Sequence, residues 1–289
     1  MRLIFIILLS FSISAKGQAI FHANNQTPAS FLLDTYTGAA AAYSLRKIRS
    51  GYTGFCINVR RSSDDTNMDI GFVSDYIDTA TMKTFVGAGN GVVWTWYDQS
   101  TNANNAKGSL HGAIIITAGV VERQNGLVTL RFDPLIPSYY SINTPITSQS
   151  NWGVFIVNKR KSAGRNGLFV CNDPGSMFVG QYLDNNFYLD RTVSAGSGFY
   201  KFAADATATF ILLEGHNSSN VISAYKNNVA YSLSAEMAYS PAANIIGYIG
   251  DHNGQVSDAN GSEVIIWGTD QTANRSGIAS NINSFYTIY

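Results

Sequence analysis

The chain is poor in charged residues and in cysteine. Only 13% of its 289 residues are charged and the formal net charge is zero. This balance argues against nucleic acid as the main partner, because phosphate binding needs a basic surplus. Two cysteines, Cys56 and Cys171, allow at most one disulfide; buried free thiols are slightly favoured over a bridge. The four histidines are scattered without ligand spacing, so we expect no metal and no cofactor.

The first 19 residues have the pattern of a secretory signal peptide. Arg2 supplies a positive start, residues 3–11 an apolar core, and the following SISAKGQA a small-residue exit. The apolar part is shorter than the roughly 20 residues that a membrane span needs. We therefore predict export, giving a secreted or cell-surface protein, with residues 20–29 as a flexible lead-in and no membrane span.

The rest of the chain reads mostly as strands separated by Gly, Asn, Asp and Pro. Two segments, 39–50 and 79–86, favour short helices because of their composition and apolar spacing. Asn227-Asn228 between two apolar runs predicts a tight hairpin turn. Trp94 and Trp96 alternate as in a strand, so we expect them on one face, more often core than sugar platform. Aromatics at 12% with many small polar residues fit an extracellular β-rich protein.

The most specific pattern lies between residues 39 and 100. Two arginines and three aspartates fall within the ten residues 60–69, and a WYDQS run ends a strand-like segment. This order and approximate spacing resemble the first half of the catalytic domain of α-L-arabinofuranosidase B. The residues that carry the resemblance are Arg61, Ser63, Asp64, Asp69, Ile70, Tyr97, Asp98, Gln99 and Ser100.

The closing segment resembles a second group of proteins. Its SEVIIWG strand, short helix and aromatic tail are similar to the end of laminin-G-like and concanavalin A-like domains. Both resemblances imply an all-β, concanavalin-like jelly-roll β-sandwich with short helical decorations. We expect one such domain over residues 30–289.

The arabinofuranosidase resemblance also implies a site. The GYIGDHNG run places Asp251 on the acid/base aspartate of the family, although a plain turn residue is an equal alternative. Asp173 is a weaker catalytic candidate. The substrate-binding residues that the resemblance implies are Asp98, Cys171, Met177, Gly250 and Asp251.

The nucleophile position departs from the family. There a Glu follows a Met, whereas here Phe178 follows Met177, and retaining glycosidases need two carboxyl groups. The family also packs the sugar against an adjacent cysteine pair, of which this chain has only Cys171. Glutamate is scarce: the chain has Glu122, Glu214, Glu236 and Glu263. A structural network that fastens the N-terminal segment to the sandwich is favoured over a catalytic role for Arg61, Asp64, Asp69 and Asp98.

These observations predict an exported carbohydrate-binding sandwich whose glycoside hydrolase activity is doubtful. The expected partner is an arabinose-containing or other surface glycan. One alternative is an active α-L-arabinofuranosidase with a rearranged nucleophile, for which Asp173 and Asp184 are the nearest carboxylates. The other is a structural or adhesive module, such as a virion fibre or decoration protein, and that alternative rests on fold analogy alone.

Overall fold

The structure is a computed structural model of the chain. It describes residues 30–108, 112–136, 138–148, 150–162, 165–171, 178–181, 186–190, 199–204, 209–236, 244–250 and 257–289. The predicted signal peptide (1–19) and lead-in (20–29) lie outside these ranges.

Strands dominate the described part of the chain. The first half contains β1 (Ala41–Ser44), β2 (Ile57–Arg61), β3 (Asn67–Ile70), β4 (Phe72–Val73), β5 (Tyr76–Ile77), β6 (Gly91–Trp96), β7 (Ala106–Gly108), β8 (Ile114–Thr117), β9 (Val120–Val121), β10 (Arg123–Gln124), β11 (Leu127–Val128), β12 (Leu130–Phe132) and β13 (Tyr139–Ser148). The second half contains β14 (Asn151–Arg160), β15 (Phe169–Cys171), β16 (Phe178–Gln181), β17 (Asn186–Asp190), β18 (Phe199–Ala204), β19 (Ile211–Ser218), β20 (Val221–Lys226), β21 (Val229–Ala230), β22 (Leu233–Glu236), β23 (Asn244–Gly250) and β24 (Ala259–Trp267). The helices are α1 (Leu32–Thr35), α2 (Thr79–Val86) and α3 (Arg275–Tyr286).

The strands form two antiparallel layers that are joined where β6 pairs with β8. The front sheet has the order β3-β2-β6-β7-β13-β23-β15-β16-β17-β18-β22. The back sheet has the order β9-β8-β12-β24-β14-β19-β20-β21, and β1 pairs with the same edge of β24 as β12 does. The all-β, jelly-roll-like class predicted from the sequence is confirmed.

The main core lies between the two sheets. Val170, Val179 and Leu189 of the front sheet pack in one cluster with Ile156 and Leu213 of the back sheet. Alternate residues of the back sheet point the other way, because successive side chains of a strand face opposite sides. Those residues form a second cluster beneath α1 and α3, so the helices cover the back sheet.

The predicted helix over residues 39–50 is wrong. Residues 41–44 form β1, whose four residues are all buried and pair with Glu263–Ile266 of β24. Helix propensity is a weak prior that tertiary pairing overrides. The other helix predicted for this half, 79–86, is confirmed as α2, where Asp78 caps the first turn by accepting from Ala80 N and Thr81 N.

A β-bulge corrects the expected position of Trp94. The register between β2 and β6 shifts between Asn58 and Val59, so Trp94 and Trp96 do not share a face. Trp96 is fully buried in the core. Trp94 is half-buried beneath the guanidinium of Arg60, whose Cζ is 5.0 Å from the ring centroid.

The hairpin predicted at Asn227-Asn228 is confirmed. It joins β20 to β21, and both asparagines have positive φ angles of 52° and 65°. Asparagine tolerates this conformation, and two-residue hairpin turns require it at both central positions. Cys56 and Cys171 are both buried free thiols, which confirms the favoured alternative for this pair.

Candidate functional site

The outer face of the front sheet carries a continuous line of polar and aromatic side chains. Strand register places one residue from each of seven neighbouring strands on this line, since directly opposed residues lie on the same face. We call it the polar rung; in order across the sheet it contains Asp69, Asn58, Thr95, Lys107, Ser141, Tyr248 and Cys171.

Two tyrosines form an aromatic platform beside the polar rung. Tyr139 and Tyr248 are both half-buried, with ring centroids 5.9 Å apart in an edge-to-face arrangement. Tyr139 lies opposite Gly250 on the neighbouring strand. A half-buried aromatic ring beside hydroxyl and amine groups suits the mixed polar and apolar surface of a sugar.

Further across the sheet, the buried Gly180 allows β15 and β16 to pack closely. Gly180 of β16 lies opposite Phe169 and Tyr188. A Cβ at Gly180 would approach the Cβ of Phe169 to 2.4 Å, which no real side chain tolerates. Beyond it, the ammonium of Lys201 lies 5.9 Å from the ring centroid of Tyr188.

Gly250 ends β23 with a backbone conformation that favours glycine. Its φ angle is 88°, and a Cβ there would meet the carbonyl oxygen of Ser138 at 2.7 Å and the ring of Phe132 at 2.8 Å. A larger residue would therefore strain the end of β23, where Gly250 lies opposite Tyr139.

The structure locates some of the predicted site residues. Cys171 is 7% exposed and ends the polar rung opposite Tyr248. Three others lie outside the described residues: Asp173, Met177 and Asp251. The backbone of Phe178 starts β16, and continuing the β15–β16 register by one residue sets it opposite Cys171.

Asp98 is buried and its carboxylate is fully engaged by the protein. One oxygen accepts hydrogen bonds from Ala42 N and Ser100 N, both at 2.8 Å. The other accepts from Ser100 Oγ at 2.6 Å and Asn104 N at 2.8 Å. These four donors fill the lone pairs of a carboxylate. A substrate contact for Asp98 stays a prediction, and its filled lone pairs point to a structural role.

The arginines and aspartates of this stretch do not form one network. Arg61, at the end of β2, pairs with Asp64 in the turn that follows, and that pairing, together with Thr66, lowers the pKa of Asp64. Asp69 instead accepts hydrogen bonds from Asn58 Nδ2 at 2.8 Å and from the hydroxyl of Tyr97 at 2.7 Å.

Two neighbouring residues, Asp98 and Gln99, hold the N-terminal segment against the sandwich. Asp98 holds Ala42 of β1. The side chain of Gln99 donates to the carbonyls of Ser44 and Arg46 and accepts from Ile48 N. The predicted fastening therefore exists, but an aspartate and a glutamine make it rather than an Arg–Asp network.

Sequence reasoning missed Tyr139, Gly180, Tyr188 and Lys201 as members of the outer face. Gly180 interrupts an apolar strand-like run, and glycine inside a strand often marks a place where a ligand or another backbone approaches closely. That signal was present in the sequence. Tyr139 gave no comparable signal, because its neighbours on the face come from β23, about 100 residues further along the chain.

Within the described ranges, no group of three or more His, Cys, Asp or Glu side chains is arranged to hold a metal ion. The helices found there are too short or too polar to cross a membrane.

Comparisons with known proteins agree with the pattern of the first half. Residues 31–131 match a model of the family described as "Alpha-L-arabinofuranosidase B, catalytic". A comparison with curated proteins found no match.

Solved structures extend the likeness over most of the chain. An arabinofuranosidase complexed with arabinofuranosyl-α-1,2-xylobiose is 16% identical, with a TM-score of 0.61, over 88% of this chain and 64% of its own. A GH54 α-L-arabinofuranosidase soaked with a cyclic sulfate inhibitor is 15% identical, with a TM-score of 0.59 and the same coverage. The chain thus spans about two thirds of the length of these proteins. The resemblance to the arabinofuranosidase B catalytic domain is confirmed, in the sequence of residues 31–131 and in the fold.

Proposed function

We propose that this protein is an exported carbohydrate-binding β-sandwich whose outer front face holds an arabinofuranosyl-bearing glycan and hydrolyses it slowly or not at all. The observation that carries the proposal is the polar rung with its Tyr139–Tyr248 platform. The rung ends at Cys171 and the platform lies beside Gly250, and the resemblance assigns both positions to the family's sugar site. Export rests on the signal-peptide pattern of residues 1–19, and we propose residues 30–289 as a single domain.

The ligands of similar solved structures support an arabinofuranosyl-bearing glycan. One was solved with arabinofuranosyl-α-1,2-xylobiose and another after soaking with 4-nitrophenyl α-L-arabinofuranoside. The rung offers hydroxyl, amide and ammonium groups beside aromatic rings, which is the combination that a neutral sugar can use. Asp251, which the resemblance assigns as the acid/base, would supply a carboxylate to a sugar hydroxyl.

We expect weak hydrolysis because the pair of carboxyl groups that a retaining glycosidase needs is incomplete. A retaining glycosidase places its nucleophile and its acid/base about 5–5.5 Å apart. The position that the resemblance assigns to the nucleophile is Phe178, which begins β16 and carries no carboxylate. Asp69 is the one carboxylate of the rung, and Asn58 and Tyr97 already engage it.

We expect α-L-arabinofuranosidase activity to be weak or absent. Loss of a catalytic nucleophile costs on the order of 10⁶ in rate in a well-studied protease. Release of 4-nitrophenol from 4-nitrophenyl α-L-arabinofuranoside should therefore be little faster than in buffer, and Phe178→Glu is the variant expected to raise it. Robust turnover that survives Asp173→Ala and Asp184→Ala would mean that the nucleophile has been assigned to the wrong strand.

Replacing Asp251 with alanine should weaken glycan binding by about ten-fold or more and leave the melting temperature nearly unchanged. A hydrogen bond to a charged group contributes roughly 1.5–3 kcal/mol, and this one is made to the ligand. Calorimetric titration with arabinofuranosyl-xylobiose, beside a thermal melt, measures both quantities.

Asp75 gives the matched control for that experiment. It is an exposed turn aspartate with a φ angle of 63° in the β4–β5 hairpin, so Asp75→Ala should lower stability and leave affinity unchanged. If Asp251→Ala behaves as Asp75→Ala does, Asp251 is only a turn residue and the sugar site is not centred on it.

A further inference from the structure

A further surface feature lies where β2 begins and β6 ends, at one end of the polar rung. It is an open groove of about 350 Å³, formed where the segment 49–55 meets the segment that follows β6. We call it the distal groove; the lining residues that matter here are Arg49, Tyr52, Phe55, Tyr97, Ser100 and Thr101.

The aromatic rings of the distal groove are held in place. Phe55 is 48% exposed, and its ring centroid is 6.2 Å from that of Tyr97. The hydroxyl of Tyr97 donates to Asp69 at 2.7 Å, and the hydroxyl of Tyr52 donates to the carbonyl of Phe55 at 2.8 Å. An exposed ring whose position is already fixed binds a flat apolar ligand face with little loss of entropy.

The charged groups of the distal groove are engaged within the protein. The guanidinium of Arg49 donates from Nε to the carbonyl of Gln99 at 2.8 Å and from Nη2 to that of Ser100 at 3.2 Å, and lies over Tyr52. The carboxylate of Asp98 has four donors. Thr53 and Thr101 remain exposed at the rim. Aromatic faces beside free hydroxyls suit a neutral polyhydroxy ligand better than an ion.

The distal groove lies next to the Asp69 end of the polar rung. Tyr97 follows β6 and binds Asp69, the first residue of that rung. Cys171 on β15 closes the rung four strand spacings away from β6, which amounts to roughly 19 Å. That separation is too long for one sugar and is spanned by several linked sugars.

From this geometry we propose that the distal groove is a second sugar subsite, which binds the unsubstituted backbone of the same polysaccharide whose arabinofuranosyl branch occupies the outer face near Cys171. The inference rests on the proposed function and deepens it. The ligand is an extended chain that crosses the strands, and Phe55 and Tyr97 stack on it at one end.

The test compares ligand length with and without Phe55. Wild-type protein is titrated with arabinofuranosyl-xylobiose and with arabinofuranosylated xylo-oligosaccharides of increasing backbone length. The longer ligands should bind about five-fold tighter or more, a gain typical of one aromatic contact. Phe55→Ala should abolish that gain and change the affinity for the short ligand less than two-fold.

Tyr289→Ala is the matched control, since Tyr289 is 47% exposed and follows α3 on the opposite, helical side of the molecule. It should leave the length dependence intact, and thermal melts of both variants should match wild type.

Each other outcome contradicts the inference in a recognisable way. Equal affinity of wild type for short and long ligands would overturn the distal subsite and leave the proposed function standing. A length gain that survives Phe55→Ala would place the second contact elsewhere. Weaker binding of both ligands by Phe55→Ala would make the groove part of the primary site. Absence of binding to any of them would overturn the proposed function and the inference together.

Discussion

Replacing Arg46 with alanine is expected to lower the free energy of unfolding by about 3–5 kcal/mol, because it leaves a buried carboxylate without its partner. Arg46 donates to both oxygens of Glu263, at 2.9 and 3.0 Å. Glu263 is 1% exposed and also accepts from Ser44 Oγ at 2.6 Å. This cluster ties β1 and α3 to β24, since the hydroxyl of Tyr286 reaches the same carboxylate at 3.3 Å.

Two further variants separate the buried pair from an ordinary surface pair. The double variant Arg46→Met/Glu263→Met should be more stable than either single variant, since it leaves no uncompensated charge. Arg61→Ala removes an exposed pair with Asp64 and a contact with Phe85 of α2, and it should cost much less than Arg46→Ala because water reaches these groups. Urea unfolding measures all of these. A loss below about 1 kcal/mol for Arg46→Ala would show that water reaches Glu263.

Replacing Asp98 with alanine is expected to lower the free energy of unfolding by about 3 kcal/mol or more. Three backbone donors, Ala42 N, Ser100 N and Asn104 N, lose their acceptor, and each unsatisfied buried donor costs about 1–3 kcal/mol. Because these donors belong to β1 and to the loop after β6, the variant should loosen the attachment of the N-terminal segment. Denaturant unfolding measures the loss.

Asp78 is the comparison that shows why burial matters. It also accepts from two backbone donors and a hydroxyl, those of Ala80 and Thr81, but it lies at the accessible start of α2. Asp78→Ala should cost only about 1 kcal/mol, the usual loss of a helix cap. Equal losses for the two variants would contradict the structural role assigned to Asp98.

The sequence predicted those parts of the fold that depend on local chemistry. Asn227-Asn228 turns as its positive-φ tolerance requires, and α2 follows its cap at Asp78. The helix predicted over residues 39–50 was wrong because pairing with β24, more than 200 residues later, outweighs the helix propensity of this segment. The prediction that Trp94 shares a face with Trp96 was wrong because a β-bulge turns Trp94 outward. Alternation in the sequence does not reveal such a bulge.

The sequence also predicted only part of the candidate site. Cys171 and Gly250 were identified by resemblance, and both lie at the outer face. The Tyr139–Tyr248 platform was not found, since it exists only when β13 pairs with a strand about 100 residues further along the chain. Glu263 and Glu214 lie in the buried strands β24 and β19. They are buried partners of Arg46 and Arg275, and pairing explains their presence in the sheet.

The measurement that tests the central claim most directly is the crystal structure of the protein soaked with arabinofuranosyl-α-1,2-xylobiose. The proposed function predicts an intact trisaccharide on the outer face of the front sheet, with its arabinofuranosyl group near Cys171, Gly250 and Asp251 and a sugar ring against Tyr139 or Tyr248. Free arabinose at that position would show that hydrolysis is retained. A trisaccharide bound only elsewhere, or none bound at all, would contradict the claim that this face is a sugar site.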